Sequence, residues 1–133
     1  MPNFGNSSKE RLCTTHPDLQ RLFTEVIKHV DCSVVCGFRN KEDQNKAVAE
    51  GHSTILWPYG KHNKQPSRAV DVMPYPVDWS DSPANIERIT LFAGFVLGVA
   101  KMLGIGIRWG HDWDSNMKPD TKGLVDRPHY ELK

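Results

Sequence analysis

No stretch of this chain is apolar for long enough to cross a bilayer. The longest uncharged run, residues 89–100, stops at Lys101, short of the roughly 18 residues a span needs, so a buried helix is expected there and membrane insertion is not. Net charge is also nearly absent. Seventeen Lys and Arg against 16 Asp and Glu leave a formal +1, which gives no electrostatic footprint for nucleic acid and no like-charge tail. The opening "MPNFGNSSKERLC" has no apolar segment of the kind a secretion signal carries, so synthesis in a cytoplasm is expected. Cysteine is scarce and scattered: Cys13, Cys32 and Cys36. Four residues of strand would hold Cys32 and Cys36 roughly 13 Å apart, too far for one disulfide or one metal, so all three are read as buried, reduced thiols. Repeats, linkers and low-complexity tracts are missing too. What remains is one domain, residues 1–133, large enough to bury a core.

Within it the apolar periodicity alternates between helix and strand. Leu19, Leu22, Phe23, Val26, Ile27 and Val30 recur at helical spacing from Pro17 to Val30, with Thr15 and Asp18 set as a capping pair. "CSVVCGF" follows as a short strand, and Asn40 is placed to cap a second helix, "KEDQNKAVAE", that Gly51 ends. Residues 52–66 form a loop and 68–75 a second strand. Ser82-Pro83 opens the most apolar helix, which runs to Leu103 before Gly104; with Leu91, Phe92 and Phe95 widening its apolar face it is expected to be the central buried helix. "IGIRW" and "RPHYEL" read as two further strands. This order predicts a compact α+β domain with a small, mostly antiparallel sheet packed on helices.

One residue breaks the pattern. Asp71 interrupts the apolar strand "AVDVM", and a carboxylate there is costly without a partner. Six histidines are available. His16 and His29 flank the first periodic helix and suit capping, the surface or the helix C-terminus. His62, in the polar loop before the strand, and His129, beyond Pro128, combine with Asp71 into two imidazoles and one carboxylate. Three protein ligands with a free fourth position suit a catalytic Zn2+, whereas a structural zinc normally takes four, usually including cysteines. Asp126, three residues before His129, is the candidate general base, and Glu131 the alternative base or the partner that holds the His129 ring.

These residues resemble a known family. "GFRNKEDQ", "KHNKQPSRAVDV" and "DRPHYEL" are similar, in order, to the motifs of VanY-type and D-Ala-D-Ala carboxypeptidase-type zinc peptidases, whose fold is shared with hedgehog signalling domains. "RWGHDWD" resembles the W-G-x-D-W segment of the phage branch, the L-alanyl-D-glutamate endopeptidase endolysins. The resemblance spans residues 19–132. It implies His62, Asp71 and His129 as zinc ligands, Asp126 as base, and Arg39 as the cation that binds or polarises the peptide, with Gln44 in support. His111 stands where the phage branch usually has a small residue, near enough to be a substrate contact; Trp113 is placed to wall the groove, and Trp109 in the core.

The implied function is hydrolysis of the bacterial peptidoglycan stem peptide by a monomeric phage endolysin made in the host cytoplasm and acting on the wall at lysis, without a separate wall-binding module. A D-Ala-D-Ala carboxypeptidase or dipeptidase, and a non-catalytic zinc-binding interaction domain, are the competing readings. The chain departs from the family pattern in three places. Eight residues rather than six separate His62 from Asp71, Lys61 replaces a small residue, and Asn40 replaces Ser or Thr.

Overall fold

The structure, a computed structural model, describes residues 2–133. Its centre is a four-stranded sheet in the order β1-β2-β4-β3. The strands are β1 (Cys32–Cys36), β2 (Ala69–Pro74), β3 (Ile107–Trp109) and β4 (His129–Leu132). All neighbours are antiparallel, as the sequence order suggests.

The helices are α1 (Asn6–Leu12), α2 (Pro17–Ile27), α3 (Lys41–Ala49) and α4 (Pro83–Leu103). Helices α2 and α4 pack on each other, and α4 lies on β2 and β3. The core they enclose joins Leu19, Leu22, Phe23 and Val26 of α2 to Val70 and Val72 of β2, Tyr130 of β4, and Ile89, Ala93 and Val96 of α4. Each large side chain buried there contributes about 1.5–3 kcal/mol. Among the described residues no helix is long and apolar enough to cross a membrane.

Several local expectations need correction. Helix α1 was not expected, because only Ser8 and Leu12 of it are buried and it carries no apolar stripe. Its task is polar. β1 is an edge strand, and α1 covers that edge: Ser8 Oγ accepts from Val34 N–H at 3.0 Å while Arg11 Nη1 donates to Val34 O at 3.1 Å. Helix α2 is capped by His16, whose Nδ1 accepts from Asp18 N–H, and not by Thr15, whose hydroxyl donates to Leu12 O. It also stops at Ile27 rather than Val30.

Helix α4 is not centrally buried. The sheet and α2 cover one side, leaving Leu91 79% exposed and Phe95 37% exposed while Phe92 is buried. Its ends follow the sequence signals. Ser82 Oγ accepts from Asn85 N–H, and Gly104 takes the left-handed conformation, φ +72°, that stops the helix. Asn40 caps α3 as expected, accepting from Asp43 N–H at 2.9 Å.

The sheet's register places the chemistry. Asp71 sits opposite His129 on β4 and opposite Cys36 on β1, where the register shifts between Val34 and Cys36. Strand alternation then sends Val70 and Val72 into the core and Asp71 to the other face.

Candidate functional site

On that outer face the row Cys36–Asp71–His129 meets the loop before β2. The loop opens with a single 3-10 turn, Lys61–Asn63, tied down by Asn63 Oδ1 accepting from Gly60 N–H and Asn63 Nδ2 donating to Arg39 O. The segment then crosses to the connection between α1 and α2 through Ser67, which exchanges backbone hydrogen bonds with Thr14 and His16. With the loop so anchored, the two extra residues before Asp71 do not pull the site apart. His62 Nε2 lies 3.2 Å from Asp71 Oδ1, and His129 Nδ1 lies 3.4 Å from the same oxygen.

The far nitrogen of each ring fixes what the near nitrogen offers. His62 Nδ1 is 2.7 Å from Gly37 O, and His129 Nε2 is 2.9 Å from Glu131 Oε1. A carbonyl and a carboxylate only accept, so those nitrogens carry the protons. The inner nitrogens of the neutral rings therefore point lone pairs at an ionised oxygen. Three acceptors face one another without a donor, and a cation must sit among them.

Without a metal the cation is the proton. Burial opposes a charged His62, yet the Asp71 carboxylate, helped by Cys36, raises its pKa to about 10. Burial likewise opposes charge on His129, but its hydrogen bonds to Asp71 and Glu131 raise it to about 9. Against the same desolvation, the two imidazoles hold Asp71 far below the usual carboxylate range. A metal ion can take the protons' place. The groups Cys36–His62–Asp71 and Asp71–Asp126–His129 each bring one ligand atom per residue to within 4.8 Å of the others, and they share Asp71. The donor set of imidazole nitrogens and carboxylate oxygen suits a divalent transition metal.

Around this centre stand the other expected residues. Asp126 Oδ2 is 3.8 Å from His129 Nδ1. Burial and the negative charge of Asp71 raise the Asp126 pKa, with His129, His62 and Arg39 pulling the other way. The loop carrying it is fastened by Asp126 N–H donating to Gly110 O at 2.7 Å. Gly110 has to be glycine here, since a Cβ would stand 2.0 Å from Asp126 O. Glu131 Oε2 receives an ion pair from Lys61 Nζ at 3.2 Å, which gives the unusual Lys61 a use. Although burial works against it, hydrogen bonds from His129 and Lys61 keep Glu131 below its ordinary pKa.

Arg39 reaches the second oxygen of Asp71, with Nη2 3.8 Å from Oδ2. Gln44 borders the same cleft as Arg39. It is 1% exposed, and its amide is consumed inside the protein, accepting from Arg39 Nη1 and Asn63 Nδ2 and donating to Ser53 Oγ and Ile55 O. Its role is to hold Arg39. The structure places His111 outside that cleft: it is buried, its Nε2 faces Asp120 O, and its ring packs on buried Trp109.

Trp113 does line the cleft, with its ring 5.5 Å from that of His129 and its indole N–H bonded to Leu124 O. A third acidic group, Asp112, Asp114 and Asp120, lies outside the cleft. Its carboxylates accept from the backbone N–H groups of Trp113, Asn116 and Met117 and shape the loop that presents Trp113.

Cys36 was missed. Its Sγ lies 3.9 Å from His62 Nδ1 and 3.7 Å from Arg39 Nη2, so one of the three free thiols stands beside the candidate site; of the three only Cys32 is buried, Cys13 being exposed and Cys36 half-buried. The cleft over these groups encloses about 270 Å³ and is lined also by Ile55, Tyr59 and Leu124. A larger depression of about 930 Å³ lies against α4, but none of these converging groups faces it.

The sequence pattern of the phage L-alanyl-D-glutamate peptidases matches residues 2–133. This chain belongs to that family. It is 29% identical to the L-alanyl-D-glutamate peptidase of Escherichia phage T5 over 139 residues, covering 97% of this chain and 96% of the relative. It also superposes on the crystal structure of the Serratia marcescens L-Ala D-Glu endopeptidase ChiX with a TM-score of 0.74 and 28% identity, across 98% of this chain and 90% of ChiX. The likeness to both runs nearly end to end, so the cluster around Asp71 falls inside the matched region.

Proposed function

We propose that this chain is a zinc-dependent endolysin that cuts the L-alanyl–D-glutamate bond of the peptidoglycan stem peptide, acting as one domain over residues 1–133. The observation that carries the metal assignment is the approach of His62 Nε2 and His129 Nδ1 to one oxygen of Asp71. The family carries the bond assignment. A phage product of this kind is made in the host cytoplasm and meets the wall at lysis.

His62, Asp71 and His129 would hold the zinc. When bound, zinc supplies a Lewis acid and brings the pKa of a water it holds from about 15.7 toward 7. Asp126 is the base: it takes the proton of the water that adds to the alanyl carbonyl carbon. It returns that proton to the D-glutamate nitrogen as the C–N bond breaks. Its raised pKa suits both steps. Arg39, fixed by Gln44, lines the cleft with a positive charge for the developing oxyanion or for a substrate carboxylate. Glu131 keeps the His129 ring in the tautomer that ligation needs. Trp113 gives the peptide an apolar wall.

Digestion of purified peptidoglycan tests this reading. A new D-glutamate amino terminus is expected. Release of free D-alanine would make the chain a carboxypeptidase instead, and an undigested wall with stoichiometric zinc still bound would make it a non-catalytic zinc domain.

A further inference from the structure

The side of α4 turned away from the sheet is unlike an ordinary solvent face. Between Glu87 and Lys101 its exposed positions are Leu91, Gly94, Phe95 and Gly98, which fall on one stripe at the helical repeat. Leu91 is 79% exposed, and Met102, next along the stripe, is 87% exposed. Gly94 and Gly98 have no neighbour within 4 Å of where a Cβ would stand, so packing inside the chain does not require them. Glycine lowers helix propensity in such a position. Residues of the stripe help to line two open troughs, one of about 930 Å³ and one of about 670 Å³. Glu87 and Lys101 close its ends, and among the described residues neither makes an ion pair within the chain.

These features complement each other when the helix meets itself reversed. We propose that the α4 stripe docks, antiparallel, on the same stripe of a second copy of this chain. A two-fold axis near Gly94 and Phe95 sets Leu91 over Gly98 of the second copy and Phe95 beside its Gly94. The same axis brings Glu87 to Lys101 of the second copy, twice, because an isologous contact repeats every pair. The glycines let the helix backbones approach closely, and the troughs receive the larger side chains. A lipid surface fits less well, since an interfacial helix flanks its apolar face with several cations and this stripe ends in one Lys balanced by one Glu. The monomer expected from the sequence is then the dilute state only. The face lies beyond the core from the Asp71 cleft, so both clefts of the dimer stay open.

Sedimentation velocity on the full chain between about 10 μM and about 1 mM, the range of weak association, tests the proposal. The mass is expected to rise from 15.1 kDa toward twice that value. Glu87→Lys should weaken association at least tenfold, and adding Lys101→Glu to it should restore the wild-type curve. Gly98→Leu should abolish association with the helical circular dichroism unchanged. A single-chain mass across the range overturns the proposal, as does a double variant that stays as weak as Glu87→Lys. So does a chain that binds anionic vesicles through Leu91 without self-associating.

Discussion

His62 Nε2 lies 3.2 Å from Asp71 Oδ1 although eight residues separate the two in sequence. The closeness comes from the 3-10 turn at one end of that segment and strand pairing at the other. It makes Asp71 the counter-charge for a cation shared with His129. Asp71→Asn keeps the size and removes the charge, so the variant should lose bound metal and wall-clearing activity together. His62→Ala and His129→Ala should do the same. Elemental analysis after gel filtration, beside a turbidity assay on purified peptidoglycan, reads both. Stoichiometric zinc in the Asp71→Asn protein would remove Asp71 from the ligand set.

Asp126 should separate from those three. It lies 3.8 Å from His129 Nδ1 and is partly exposed, so Asp126→Ala should keep the fold and the zinc while kcat falls by about 10²–10⁴, the usual effect of losing a general base. Full activity in that variant would pass the proton to another group, with Glu131 the nearest carboxylate on β4.

Glu131 itself acts through the His129 ring. Glu131→Ala removes the acceptor 2.9 Å from Nε2 and leaves Lys61 without its carboxylate. Zinc affinity should fall by about 10–100-fold, the usual cost of losing a residue that orients a ligand. Competition with a chromophoric chelator measures it, and activity at saturating zinc should largely recover. An unchanged affinity would show that packing alone orients the ring.

The sequence made this centre legible through a single misfit, a charge among Ala69, Val70, Val72 and Met73, because only a pairing or a metal makes such a charge tolerable. Helix α2 was legible for a related reason: its five buried residues repeat on one face. Helix α1 was not, because it satisfies the polar edge of β1 and buries almost nothing apolar. Cys36 escaped because a strand spacing argument treats β1 as regular, whereas the register shift after Val34 brings it opposite Asp71. Gln44 and His111 look alike in a motif and differ in burial partners, which a linear pattern does not carry.

Proton and metal should compete at this centre. The His62 and His129 pKa values stand at about 10 and about 9 against an ordinary 6.5. In metal-free protein their protons therefore stabilise the fold fully below about pH 6.5, and that contribution is lost as pH climbs through 9 and 10. The depressed Asp71 contributes above its ordinary pKa and loses that only in strong acid. Chelator-treated protein should show a falling thermal midpoint from pH 7 to 10, with zinc binding tightening over the same interval as fewer protons are displaced. The Asp71→Asn variant should lose most of that slope. A metal-free midpoint that rises across the interval would contradict the charge assignment.

Anomalous diffraction at the zinc edge, from crystals grown with one equivalent of zinc, tests the central claim most directly. The account predicts one strong peak bonded to His62 Nε2, Asp71 and His129 Nδ1, with Asp126 close by but not bonded. A peak held by Asp112, Asp114 and Asp120, with none beside Asp71, would contradict it.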